Sequence, residues 1–230
     1  MKNTRSLLLA FVAILCGSNV SAQSLRIFKT DGSSITVSYA ELDSIVAVNH
    51  EEQSKYQFID LGLSVKWATF NVGAQKPEET GSYFSWGEIT TKSTYIDKNS
   101  LTYEIPMEDI SGNPEYDAAR AIWGGSARMP TKAELEELVA NCKWETKVQN
   151  GVKGMLVTGP NGNKIFLPAA GTIYESTVGY PGEFGSYWSS TPYEEKNVGA
   201  YSVDFYTATV EYNLWWGYRI LGHTIRPVID

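Results

Sequence analysis

YWSSTPYEEKNVGAYSVDFYTATVEYNLWWGYRILGHTIRPV, residues 187–228, is the stretch that decides the fold. Ten of its 42 residues are aromatic, about twice the 13% of the whole chain. Tyr201, Val203 and Phe205 alternate with polar residues, and Val210 and Tyr212 repeat the pattern. A two-residue period is typical of strands with one buried face. We therefore predict two strands here that carry these five side chains into the core.

The other polar and aromatic side chains of this stretch are predicted to point outward. Rings mixed with polar groups are typical of a recognition surface rather than of a reaction centre. Trp215-Trp216-Gly217-Tyr218 is predicted to be a loop, in which one tryptophan packs against the sheet. The other tryptophan, together with Tyr218, would offer a flat ring to a sugar or a peptide. The candidate ligand-binding residues are Tyr193, Asp204, Tyr206, Glu211, Asn213, Trp215, Trp216, Tyr218, Arg219 and His223.

Upstream of this stretch, the pattern changes from helices to short hairpins. Residues 116–123 are typical of a short helix. Thr131 followed by Glu134 is a capping box, and it begins a second helix with an apolar face. Asn150-Gly151 and residues 160–163 (PNGN) are strong turn signals between apolar runs. These elements predict an α+β domain with a small antiparallel sheet.

Toward the amino terminus, four segments are expected. Residues 1–22 have the basic start, apolar run and small-residue cleavage site of a secretory signal peptide. Residues 23–50 form a short β-rich module: a hairpin around residues 30–33, then a helical turn and a third strand within residues 40–48. Residues 51–55 are the linker, and residues 56–230 the main domain. The protein is therefore expected to be exported, to the periplasm, the outer-membrane surface or the medium.

Composition excludes some classes of partner. The net charge of -7 and the isoelectric point near 5.0 argue against a nucleic-acid ligand. The apolar run of the signal peptide is too short to span a bilayer, and no other segment is predicted to be transmembrane. After signal cleavage Cys142 is the only cysteine left, so we expect a buried thiol and a fold without an internal disulfide.

The residues that catalysis requires do not occur in an assembled pattern. Only His50 and His223 are available as imidazole bases, and no G-x-S-x-G elbow is present. Histidine and cysteine are too few and too scattered for a zinc site. The clusters at Glu134, Glu136 and Glu137 and at Glu194 and Glu195 suit solvated charge better than a glycosidase pair. We therefore expect no enzyme activity and no cofactor, while calcium bound by loop oxygens stays open.

Several short segments of the main domain occur in the order of a known family. They resemble a bacterial branch of the C-type lectin-like fold, which includes the domain repeated in Fibrobacter succinogenes paralogous proteins and its Bacteroidetes relatives. The order of the segments carries the resemblance, which covers nearly all of residues 56–230. The segments are 60–69 (DLGLSVKWAT), 71–74 (NVGA), 83–88 (YFSWGE), 117–120 (DAAR), 123–126 (WGGS), 128–134 (RMPTKAE), 166–171 (FLPAAG), 187–190 (YWSS) and 225–228 (IRPV).

The resemblance implies a fold with two helices and a small twisted antiparallel sheet. The fold is similar to formylglycine-generating enzymes, which act through cysteine in the carboxyl-terminal part of the domain, where this chain has none. It is also similar to retroelement-diversified variable proteins, whose binding residues correspond to residues 193–223 here. Arg219 matches an arginine common in relatives, so it is either a structural residue or a ligand contact. Ala127 and Phe70 depart from the pattern, since relatives often have tryptophan and cysteine there.

Three functions follow as expectations. The first is a secreted, non-catalytic recognition module that binds a carbohydrate or a protein through its carboxyl-terminal aromatic loop face. The second is a structural or assembly component of the cell envelope, similar to an adhesin or fimbria, in which residues 23–50 would be the docking element. The third is a divergent enzyme.

Overall fold

The computed structural model describes residues 24–28, 34–38 and 56–230. It divides into two compact units, Met1–Asn49 and His50–Asp230. The signal peptide, the turn at residues 30–33, the elements predicted within residues 40–48 and the linker lie outside the described residues. No helix in the described part of the chain is long and apolar enough to cross a membrane.

The first unit contains the predicted hairpin. Strand β1 (Ser24–Phe28) pairs antiparallel with β2 (Ser34–Ser38). Leu25 lies opposite Val37, and Ile27 lies opposite Ile35.

The second unit contains both predicted helices. Helix α1 (Ala118–Trp123) begins after Asp117, whose carboxylate accepts a hydrogen bond from the Arg120 amide. Helix α2 (Lys132–Asn141) begins after Thr131, and the Thr131–Glu134 capping box is present with both of its hydrogen bonds. The predicted start and apolar face of α2 are confirmed, since Leu135 and Leu138 are buried.

Short antiparallel strands make up most of the other regular secondary structure of this unit, which confirms the α+β class. The predicted turns connect β5 (Lys143–Gln149), β6 (Val152–Thr158) and β7 (Lys164–Pro168) into a meander. Strands β8 (Thr172–Tyr174) and β9 (Thr177–Gly179) form a small hairpin. Strands β3 (Phe58–Asp60) and β4 (Lys66–Ala68) pair with the closing strand β13 (Val228–Ile229).

Residues 184–218 form a three-stranded sheet with an apolar core on each of its two faces. Its strands are β10 (Phe184–Pro192), β11 (Gly199–Tyr206) and β12 (Glu211–Tyr218), in that order. Tyr187, Val203 and Phe205 enter the core beneath α2. Trp188 enters the second core, around Trp86. We call the face that carries Val203 and Phe205 the helix face, and the face that carries Trp188 the opposite face.

Two local predictions for β12 and the turn before it are wrong. Val210 is 40% exposed and has φ 56°, because it ends the four-residue turn between β11 and β12 rather than entering a strand. Trp215-Trp216-Gly217-Tyr218 is not a loop but the last half of β12, paired residue by residue with β11. Gly217 suits this position, because a Cβ there would lie 3.1 Å from His223 and 3.2 Å from Trp188.

Cys142 is buried, as predicted, and directly follows α2. Burial raises the pKa of its thiol to about 11, so at pH 8 only about one molecule in a thousand holds the thiolate. In protein that starts at Gln23, we expect Ellman's reagent to leave Cys142 unmodified at pH 8 until urea unfolds the chain. Rapid labelling of the folded protein would contradict this, and Cys142→Ser gives the background.

Candidate functional site

The ten candidate residues do not form one surface. Along β12, Glu211, Asn213 and Trp215 leave the strand on the opposite face, whereas Trp216 and Tyr218 leave it on the helix face. The structure therefore separates Trp215 from Tyr218, which the sequence interpretation placed together. Arg219 and His223 are buried, so the prediction that they point outward is wrong.

Five of the candidates meet on the opposite face in what we call the hairpin pocket. Its volume is about 260 Å³. The cross-strand pairs Asp204–Asn213 and Tyr206–Glu211 place these side chains next to each other. Tyr206 is half exposed and packs against Phe184, with ring centroids 5.0 Å apart. The lining residues are Asp204, Tyr206, Glu211, Tyr212, Asn213 and Trp215.

Trp215 lines the pocket and is 63% exposed, more than any other tryptophan of residues 56–230. Within the described part of the chain, no aromatic ring and no cationic side chain packs against the Trp215 ring. Tryptophan is enriched among the residues that carry most of the binding energy at protein interfaces. Trp215 therefore has an accessible ring surface at the pocket.

Only one of the two carboxylate oxygens of Asp204 accepts hydrogen bonds from the described residues. Its Oδ1 accepts hydrogen bonds from Ser186 Oγ at 2.7 Å and from Ser202 Oγ at 2.9 Å. Its Oδ2 has no hydrogen-bond partner among residues 56–230, and Asp204 lines the pocket. Burial raises the pKa of this carboxyl to about 6, although both serine hydroxyls act to lower it. The carboxylate is thus fixed in orientation with one oxygen left for a ligand.

His223 lies behind this network rather than on the surface. Its ring stacks on Trp188 at a centroid distance of 4.0 Å, and its Nδ1 lies 2.7 Å from Ser186 Oγ. Because Ser186 donates to Asp204, its oxygen accepts from Nδ1–H, so the neutral ring carries its proton on Nδ1. Burial lowers the pKa of His223 to about 3, which keeps the ring neutral at physiological pH.

Ser186, His223 and Asp204 are the three residue types of a hydrolytic triad, but their hydrogen bonds connect them in a different order. In a triad the histidine lies between the serine and the acid, so that it can accept the serine proton. Here Ser186 lies between His223 and Asp204, and its hydroxyl is fully buried. Ser186 therefore orients Asp204. In the described ranges no group of three His, Cys, Asp or Glu residues is arranged to hold a metal ion.

Trp216 and Tyr193 form a separate aromatic cluster on the helix face. Their rings stack at 4.8 Å with an interplanar angle of 4°, and Tyr218 meets Trp216 edge-on at 5.6 Å. Lys196 lies 5.8 Å from the centre of the Trp216 ring. Trp216 is thus the tryptophan that packs against its neighbours, and Trp215 is the one that stays open.

Arg219 is a structural residue rather than a ligand contact, the two alternatives that the sequence left open. Its guanidinium donates to the carbonyl oxygens of Gly199, Thr102 and Ile105 at 2.8–3.0 Å, and its Cζ lies 4.4 Å from the centre of the Trp86 ring. Burial lowers its pKa to about 10. Arg219 therefore ties the irregular segment 89–116 to the start of β11.

Sequence reasoning missed the two serines that orient Asp204. Ser202 has the same strand parity as Asp204, so it was a foreseeable neighbour on that face. Ser186 becomes a neighbour only through the pairing of β10 with β11, in which it lies opposite Asp204. Comparison of the chain with protein-family models, with curated proteins and with solved structures gives no match.

Proposed function

We propose that this protein is an exported, non-catalytic recognition module that binds a carbohydrate or a protein ligand in the hairpin pocket. The observation that carries the proposal is the juxtaposition of an exposed Trp215 with an oriented Asp204 in one concavity. A ring face binds the apolar side of a ligand, and a carboxylate and an amide bind its polar groups. Asp204 and Asn213 supply those polar groups here.

We further propose that residues 56–230 have a C-type lectin-like fold. Its support is the order of two helices, a meander of hairpins and a carboxyl-terminal three-stranded sheet. The resemblance of residues 193–223 to the binding region of variable proteins of this fold also agrees with the position of the hairpin pocket. In this proposal the pocket, rather than a loop, presents the ligand contacts.

Replacement of Trp215 by alanine is expected to weaken ligand binding at least 30-fold, which corresponds to the roughly 2 kcal/mol of a hot-spot side chain. The first measurement is a glycan array and an affinity capture from bacterial and host surface extracts, followed by titration of each ligand found. Tyr218→Ala is the matched control, because it removes a half-exposed ring from the helix face. The pocket assignment fails if Tyr218→Ala weakens binding and Trp215→Ala does not.

A further inference from the structure

Strand β12 forms an open edge of the three-stranded sheet. It pairs with β11 on one side, and no strand among the described residues lies on its other side. Within the described residues, the backbone groups of residues 211–217 make no hydrogen bond to any segment other than β11. Every second residue of an antiparallel edge strand directs its N–H and C=O away from the sheet, so about four residues of β12 offer unpaired backbone groups.

This edge lacks the usual protection against pairing. Exposed edges are commonly blocked by lysine, by proline or by a β-bulge. The sequence of β12 is EYNLWWGY, which contains neither lysine nor proline. Its register with β11 is regular over all eight pairs, from Tyr206–Glu211 to Gly199–Tyr218, so no bulge twists the edge away. The backbone of β12 is therefore suited to accept another strand.

The chemistry beside this edge selects a basic partner. Two carboxylates, those of Asp204 and Glu211, line the hairpin pocket, and no lysine or arginine of residues 56–230 does. Trp215 on the same face can take a cation against its ring. A second copy of β12 would bring no basic side chain to these groups, and each chain carries a net charge of -7. Charge thus favours a basic partner over self-association.

We propose that β12 binds an extended, basic segment of a partner protein as a fourth strand of this sheet. Alternate side chains of that segment lie on the opposite face, where a lysine or arginine packs on Trp215 and reaches Asp204 and Glu211. Main-chain hydrogen bonds supply affinity and the pocket supplies selectivity, as in other strand additions. The proposal rests on the function proposed above and specifies its ligand as a peptide rather than a sugar.

Capped ten-residue peptides separate backbone pairing from charge. We expect (Thr-Lys)₅ to bind at least tenfold more tightly, in calorimetric titration, than the same peptide with every backbone nitrogen methylated. Both peptides carry five lysines, but the methylated peptide has no N–H for strand pairing in either register. The acidic peptide (Thr-Glu)₅ is expected not to bind. Equal affinity of the two lysine peptides, or no binding of (Thr-Lys)₅, overturns the proposal.

Two further measurements locate the bound peptide. Binding of (Thr-Lys)₅ is expected to slow amide hydrogen exchange at alternate residues of β12. Glu211→Gln and Asp204→Asn are each expected to weaken binding at least threefold, and Glu195→Gln, in the exposed loop after β10, should have no effect. Unchanged exchange in β12 overturns the proposal. A glycan that binds in a Trp215-dependent manner while no peptide binds would refute strand addition and leave the proposed recognition function intact.

Discussion

Replacement of Arg219 by methionine is expected to lower the free energy of unfolding by about 3 kcal/mol. The substitution removes one charged hydrogen-bond donor from each of three carbonyl oxygens, those of Gly199, Thr102 and Ile105. The first two keep a backbone donor, the Tyr193 and Ile105 amides. A hydrogen bond from a charged donor contributes about 1.5–3 kcal/mol, and part of the loss of three such bonds is offset because a buried charge is removed as well. Urea denaturation followed by tryptophan fluorescence measures the change.

The same variant should loosen the segment that Arg219 ties down. Trypsin is expected to cut Arg219→Met faster than the wild type after Lys92 or Lys98, which lie in segment 89–116. Arg120→Met is the control, because Arg120 is half-buried and its Nε has no hydrogen-bond partner. We expect that control to change stability by less than about 1 kcal/mol. Equal effects of the two substitutions would refute a specific role for Arg219.

The His223–Ser186–Asp204 network should give two opposite dependences of stability on pH. The folded pKa of His223 is about 3, below its ordinary 6.5, so only the unfolded chain takes up the proton as the pH falls from 6.5. That uptake destabilises the fold by about 2.5 kcal/mol between pH 7.5 and 4.5. The folded pKa of Asp204 is about 6, above its ordinary 3.8, so the folded chain protonates first. This stabilises the fold by about 2 kcal/mol over the same interval.

In the wild type these two contributions largely cancel, and single substitutions should separate them. Acidification from pH 7.5 to 4.5 is expected to destabilise Asp204→Asn by about 2 kcal/mol more than the wild type. It should destabilise His223→Gln by about 2.5 kcal/mol less than the wild type. Urea denaturation at both pH values measures each difference. Profiles of both variants that run parallel to the wild type would show that neither group has a shifted pKa.

Local rules predicted the elements whose residues interact with near neighbours. The capping box at Thr131 and Glu134 needs only four consecutive residues, and the turn at Asn150-Gly151 needs only two. The alternation of Tyr201, Val203 and Phe205 identified the side of β11 that faces α2, because strand geometry is strictly periodic. Val203 and Phe205 are buried there, whereas Tyr201 is half-buried and lies outside the core, so the prediction that it is a core residue is wrong. Such features can be inferred without knowledge of the tertiary structure.

The candidate site depended on contacts that sequence spacing does not contain. Parity places Asp204 away from the helix face, but it does not show that the segment around His223 covers part of the opposite face. Arg219 is buried where its guanidinium donates to the carbonyl oxygens of Thr102 and Ile105, which lie more than 100 residues earlier in the chain. Trp215 and Tyr218 were placed together because the segment was interpreted as a loop, whereas a strand sends them to opposite sides.

The hairpin pocket also bears on how such a chain can diversify. Its lining residues lie between positions 204 and 215 of one hairpin, and most of them alternate with residues that fill the core beneath α2. Under the proposed function, a change at Glu211, Asn213 or Trp215 would alter what is bound without altering the core beneath α2. Specificity and foldability would then depend on alternate residues of the same short segment, so that each could evolve while the other is kept.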